Sequence, residues 1–235
     1  LMVSATLVFA VMNALVKWLG ADYTTVQLVF FRNFFALLPV LFVVCRARNL
    51  GLLATRRPFA HLRRAVIGII SLGAFFYAYA HMPIANVTAI AFTAPLFVTA
   101  LSVPLLGEAV GLRRWSAVIV GFLGVLVMVR PDGADFDYVA LVALGGAFLY
   151  ALVMIYVREM SHTETSTGIV FYYLTSSSLL LAAALPVFWV SPDLEGWLLL
   201  FARGLFGGIG QLVMTTAFRL GDAALIAPFD YVAII

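Results

Sequence analysis

Eight apolar runs follow one another along this chain, at 1–19, 24–45, 64–82, 84–106, 111–130, 137–158, 165–190 and 196–220, and a ninth opens at 222. Most reach the ~20 residues that carry a helix across a hydrocarbon core of ~30 Å. Lipid offers no partner to an exposed backbone N–H or carbonyl, so runs of this length fold as helices and not as open strands. The expected fold is therefore all-α, a polytopic transmembrane helical bundle. Composition agrees: 64% of residues are hydrophobic and 11% charged, with a mean hydropathy of +1.10, where soluble domains carry about 25% charged residues.

Charge in the connections sets an orientation. Arg46, Arg48, Arg56, Arg57, Arg63 and Arg64 crowd the link between the second and third runs; Arg113 and Arg114 follow the fourth, Arg158 the sixth and Arg219 the eighth. The alternate links carry Asp22, Asp132, Asp135, Asp137, Asp193 and Glu195 against only Lys17 and Arg130. The positive-inside rule places the basic links, and with them the start of the chain, on the cytoplasmic side of a cytoplasmic membrane. It also accounts for the pI of 9.2 without nucleic acid, because the bases sit in short loops. No signal peptide is evident, since Lys17 follows the first apolar run. The chain opens without a methionine and stops inside an apolar run, and so reads as a fragment.

Punctuation repeats. A hinge at His81-Met82-Pro83 opens an alanine-rich, proline-interrupted helix that stops at Gly107-Glu108; Leu220-Gly221-Asp222 opens a similar one with Pro228. Aligning the hinges sets Ala89 on Ala227 and Phe92 on Asp230. Residues 149–160, at the end of the sixth run, likewise echo 8–19 in the first, with Arg158 beside Lys17 in register. Five crossings invert the second half, the pattern of inverted-repeat secondary transporters. The expected domains are 1–130, a repeat of five helices, and 137–235, its inverted partner truncated before a last helix. Ten helices are expected in all, about nine of them present.

FFRNFFALLPVLFVV (30–44), MPIANVTAIAFTAPLF (82–97), LLGEAVGLRRWSAVIVGFLGVLVMVRP (105–131) and APFDYV (227–232) together resemble the EamA-type transporters of the drug/metabolite transporter superfamily. The resemblance runs over essentially the whole chain and implies ten helices in two inverted repeats that move metabolites, amino acids, nucleotide-like molecules or drugs. APFDY is similar to the branch that contains S-adenosylmethionine and organic-solute carriers. The functional expectation is a secondary transporter of a small organic metabolite or drug working by alternating access, with protons as the candidate coupling ion. A membrane-embedded enzyme acting on lipid or isoprenoid substrates is the rival reading.

Three charges fall inside predicted spans: Arg32, Arg203 and Asp230. Each costs about 2.5–3.5 kcal/mol at a helix centre unless partnered or hydrated. Arg32 lies ~12 Å in from the outer end of its span, at 1.5 Å per residue, and Asp230 a similar depth from the inner end of its own. Two readings stand for Arg32, a pin to backbone carbonyls or a solute contact. Arg203 is expected to snorkel to the outer surface. Asp230 is expected to line a cavity and bind a cationic group or a coupling proton, with Tyr231 beside it. Thr88, Phe92, Pro95 and Thr99 share one helical face, which suits a solute site or a packing interface. Gln211 and several tyrosines (Tyr77, Tyr79, Tyr150, Tyr172, Tyr173) are further cavity candidates. Gly204 and Gly208 form a GxxxG packing pair, Gly121 and Gly124 a similar one, and Glu108 is expected to pair with Arg113 or Arg114. His61, His81 and His162 form no metal motif, no nucleotide-binding loop or catalytic elbow is present, and Cys45 is a lone cysteine; neither cofactor nor metal is expected.

Overall fold

The computed structural model describes residues 1–19, 23–129 and 138–229, and among them every regular element is helical. The helices are α1 (Met2–Leu19), α2 (Thr25–Ala47), α3 (Pro58–His81), α4 (Ile84–Ala91), α5 (Ala94–Leu106), α6 (Leu112–Val129), α7 (Tyr138–Met160), α8 (Ser166–Ala182), α9 (Leu194–Leu220) and α10 (Ala223–Ile226). Among the described residues, five stretches are long and apolar enough to cross a membrane: Thr25–Ala47, Pro58–Tyr79, Asn86–Leu106, Tyr138–Met160 and Leu194–Leu220.

Helix ends follow local chemistry. At the end of α2, Arg48 takes a left-handed conformation (φ 49°) and its N–H returns to the Cys45 carbonyl. Gly107, at φ 69°, ends α5 in the same way, the usual service of glycine after a helix. The third span starts at Pro58, six residues before the expected 64, because proline is preorganised for a first helical position and lacks only an N–H the helix would not use. The seventh is shorter than the expected 165–190. α8 stops at Ala182, 17 residues long, and Pro186 opens a short 3-10 turn over Leu185–Val187. Residues 188–193 then run without regular structure. Gln27, 0% exposed, holds them by donating from Nε2 to the Val190 carbonyl (2.6 Å) while its Oε1 accepts the Val190 N–H (2.8 Å).

The chain divides into two compact units. Unit 1 holds Leu1–Ala65 and Met160–Leu220; unit 2 holds Val66–Glu159 and the stretch that opens at Gly221. In unit 1, α9 packs on both α1 and α2, and α2 packs on α8. Glycines let α9 approach α2: a Cβ on Gly204 would collide with Phe35, and one on Gly208 would lie 2.5 Å from the Ala36 carbonyl oxygen and from Pro39 Cγ. The expected GxxxG contact is thus present. The first turns of α3 also meet α8, where Arg64 lies over the Tyr173 ring at 4.2 Å and donates to the Ile169 carbonyl. In unit 2, α3 packs on α7, with Ser71 donating to the Gly146 carbonyl at 2.8 Å. Ala78, Val87, Ile90, Val139, Ala140 and Ala143 make a buried cluster there, and α5 packs on α6 and on α10. Gly121 seats Leu96, whereas Gly124 faces open space.

Candidate functional site

The candidate residues of unit 2 lie on an interrupted helix. α4 and α5 are separated at Phe92–Thr93, where the Thr93 N–H and hydroxyl both turn back to the Ile90 carbonyl, at 2.9 and 2.7 Å. Pro95 cannot donate to the carbonyl four residues earlier, so the ladder breaks where the sequence puts the proline. Thr88 and Phe92 are part-buried and Pro95 is buried. Thr99 does not offer its hydroxyl outward; it donates to the Pro95 carbonyl at 2.9 Å, and Ser102 donates to the Thr99 carbonyl. Phe97, beyond the break, packs edge-on against Phe122 and Phe148 at 4.8 and 5.5 Å.

In unit 1 the candidates gather on α2 and α9. Arg32 is part-buried and donates to Asn33 Oδ1 at 3.0 Å. Its side chain passes over Gly207, where a Cβ would lie 3.4 Å from Arg32 Cγ and Nε. Gln211 sits one turn further along α9 and Thr215 one turn beyond that, on the same face. Arg203 corrects the snorkelling expectation: it is 6% exposed and donates to the Leu28 carbonyl at 3.2 Å, because the approach of α9 to α2 encloses it. Arg203 Nε, Gln211 Oε1 and Thr215 Oγ1 are buried without a hydrogen-bond partner among the described residues. Neither Arg32 nor Arg203 has a carboxylate within ion-pair reach among the described residues. Asp230 and Tyr231, the remaining candidates, lie outside the described residues.

The tyrosines divide by role. Tyr172 donates to the Leu53 carbonyl and Tyr173 lies beneath Arg64, so both hold structure in unit 1. Tyr77 stacks on His81, with ring centroids 4.2 Å apart, and its hydroxyl meets that of Tyr138.

Two polar clusters have no local signal in the sequence, because their members are far apart in the chain. In unit 2, Glu108 accepts the N–H groups of Ala223 and Ala224, one on each oxygen, at 2.8 and 3.0 Å. Arg158 lies 3.6 Å from Glu108 and 3.1 Å from Asp222. The partner of Glu108 is thus Arg158, not the expected Arg113 or Arg114, since Gly107 aims it at the hinge before α10. In unit 1, Glu164 accepts from the Thr55 hydroxyl at 2.9 Å and from the Arg56 N–H at 3.0 Å. Thr55 spends its only hydrogen there and already accepts from the Arg57 N–H. His61 Nε2, 3.1 Å from Thr55 Oγ, must therefore be the donor. Together with Thr165, which donates to the Leu52 carbonyl, these bonds fasten the link between α2 and α3 to the start of α8.

The sequence model of the EamA-like transporter family matches residues 1–130. A pseudopaline exporter of Pseudomonas aeruginosa is 32% identical over 240 residues, spanning 100% of this chain and 83% of that protein. An S-adenosylmethionine uptake transporter of Rickettsia bellii is 30% identical over 93% of this chain and 75% of its own length. A riboflavin transporter of Vibrio cholerae is 30% identical over 98% and 78%. A solved structure described only as "Crystal structure of protein" superposes with a TM-score of 0.78 at 19% identity, covering 98% of this chain and 82% of that one, which establishes the shared fold.

Proposed function

The chain belongs to the EamA-like transporter family and is a multi-pass membrane protein, and from that premise we propose that it is a secondary transporter carrying a small organic metabolite across the cytoplasmic membrane by alternating access. The named relatives are transporters, and the rival reading as a lipid-directed enzyme falls away. One is an exporter and another an uptake protein at nearly the same identity, so direction is left open. Protons remain the candidate coupling ion.

The repeats, 1–130 and 137–235, are proposed to be related by a two-fold axis in the membrane plane, with α1 matching α7, α2 matching α8 and α3 matching α9. Packing inside each unit supports this. The contact of α1 with α9 has its counterpart in α7 with α3. That of α2 with α9 has its counterpart in α8 with the start of α3. The contact of α2 with α8 is the self-matching pair such an axis requires. The start of the chain is proposed to be cytoplasmic, on the charge pattern of the loops.

The observation that carries the solute contacts is the set of buried polar atoms on α9, Gln211 Oε1 and Thr215 Oγ1, without a hydrogen-bond partner among the described residues and one and two turns from the Arg32 side chain. A buried polar group left unpaired costs about 1–3 kcal/mol. Such groups mark functional positions or water. Arg32 and Gln211 are proposed to contact solute. Thr88, Phe92 and Pro95 are proposed as further contacts at the interrupted helix of unit 2, and Asp230 with Tyr231 on the sequence reading alone. The test replaces Gln211 by Leu and compares uptake of S-adenosylmethionine and riboflavin into proteoliposomes, with and without a proton gradient. A solute role predicts at least a tenfold loss, ~1.4 kcal/mol, with thermal stability unchanged or raised, since apolar replacement relieves the unpaired group. Unchanged uptake, or a loss accompanied by unfolding, would reject the assignment of Gln211.

A further inference from the structure

Two positive charges inside the helical part of unit 1 have no negative charge to answer them. Arg32 on α2 makes one hydrogen bond, to the neutral amide of Asn33, and Arg203 on α9 makes one, to the Leu28 carbonyl. A guanidinium carries five N–H donors, so most of each fork is unspent on the described residues, and Arg203 Nε is buried with no acceptor among them. The described acids of unit 1 stand at helix starts. Glu164, before α8, accepts from Thr55 and the Arg56 N–H; Asp193, before α9, accepts from Tyr23 and the Gly196 N–H; Glu195 lies in the first turn of α9. Arg203 is eight residues beyond Glu195, ~12 Å along the helix axis. Glycine brings the two arginines together: Gly207, one turn after Arg203, lets the Arg32 side chain cross α9 beside Met12 of α1, and the two like charges act on each other. Packing alone gains nothing from drawing two cations together away from water, whereas an anion held between turns would answer both.

We propose that this face of α9 selects solutes that carry a carboxylate, which the Arg32 fork binds, while Gln211 Oε1 accepts an N–H or O–H of the same solute. The proposal deepens the transport reading and rests on it. Arg203 spends Nη1 on Leu28 and is buried, so it contributes charge from behind; Arg32 is part-buried and is the group a solute reaches. One guanidinium fork matches the two oxygens of one carboxylate in a pair of parallel hydrogen bonds. A phosphate dianion would give up more hydration than one reachable guanidinium returns. Gln211 stands one turn beyond Gly207 on the same face, ~6 Å along the axis, with a buried carbonyl oxygen that lacks a donor. An amino or hydroxyl group close to the carboxylate supplies that donor, so amino acids and hydroxy acids are the fitting class.

The test gives proteoliposomes of the full chain an equimolar mixture of paired solutes and counts what they retain, over protein-free liposomes, by mass spectrometry. The pairs are leucine with leucinamide, lactate with lactamide, and S-adenosylmethionine with its decarboxylated counterpart; riboflavin and glycerol phosphate complete the mixture. At least one acid is expected to be retained over its carboxylate-free counterpart, and Arg32→Gln should cut that preference by about tenfold, the size expected from losing charge-assisted hydrogen bonds. Without solute, Arg32→Gln should melt no lower than the parent chain, because it removes a charge that has no counter-charge. Arg32→Lys keeps the charge but not the fork, gives a smaller loss of preference, and stands in if Arg32→Gln melts early. A lower melting temperature with the preference intact would make Arg32 a structural pin and overturn the proposal. Preferential retention of the amides, the decarboxylated compound, riboflavin or glycerol phosphate would overturn it while leaving the transport reading in place. Retention of none of the solutes by the parent chain would count against the transport reading itself, and the carboxylate assignment would fall with it.

Discussion

Glu108 shows how much one side chain can connect. Its two oxygens take successive backbone N–H groups at the entry to α10, and Arg158 ties the same carboxylate to Asp222. Removing it strands two donors at a helix start and takes one carboxylate away from Arg158. Glu108→Ala is expected to cost about 2–3 kcal/mol, and Glu108→Gln less, because the amide oxygen still accepts one N–H. Asp222→Asn, at a carboxylate 61% exposed, should change stability by less than ~1 kcal/mol. Thermal melting of the three variants in one detergent checks the order. Equal effects from Glu108→Ala and Asp222→Asn would mean the backbone bonds contribute nothing.

At the scale of elements, the glycines of α9 set the closest contact in unit 1. Gly204→Ala and Gly208→Ala push a methyl group into the backbone and side chains of α2, and overpacking of this kind costs about 1–3 kcal/mol each. Gly124→Ala meets nothing within 4 Å and gains helix propensity, so it should be neutral or stabilising by up to ~1 kcal/mol. Melting temperatures measured side by side decide between close packing and mere tolerance. These contacts were legible because small residues spaced by four declare a helix interface. So were the proline break near Phe92 and the hinge at Gly221, where residue chemistry acts on its own neighbourhood. The early end of α8, the Gln27 clamp on Val190, the burial of Arg203 and the Glu164 cluster were not. The last three depend on partners more than a hundred residues away, and hydropathy carries no information about pairing at that range.

At the scale of the whole molecule, loop charge argues for cytoplasmic basic links. Single cysteines at Arg113 and Asp193, in a Cys45→Ser background, test this with an impermeant maleimide. The Asp193 position should react in intact cells and the Arg113 position only after permeabilisation; the reverse pattern would invert the protein. Hydropathy reads the helical class correctly, because lipid leaves a long apolar run little choice. It does not reveal that α1 finds its neighbour in α9, or α7 in α3.

That exchange of neighbours has a consequence for how the protein is made. Between the end of α1 at Leu19 and the start of α9 at Leu194 lie 174 residues. At about 5–20 residues per second, a ribosome needs roughly ten to thirty-five seconds to bridge them. For that interval α1 is inserted with Gly207 and Gly210, against which Met12 and Phe9 will rest, not yet synthesised. α1 is thus fastened long after it has been made. Nascent chains arrested after α7 should leave it open to crosslinking by lipid or insertion machinery, and chains that include α9 should bury it.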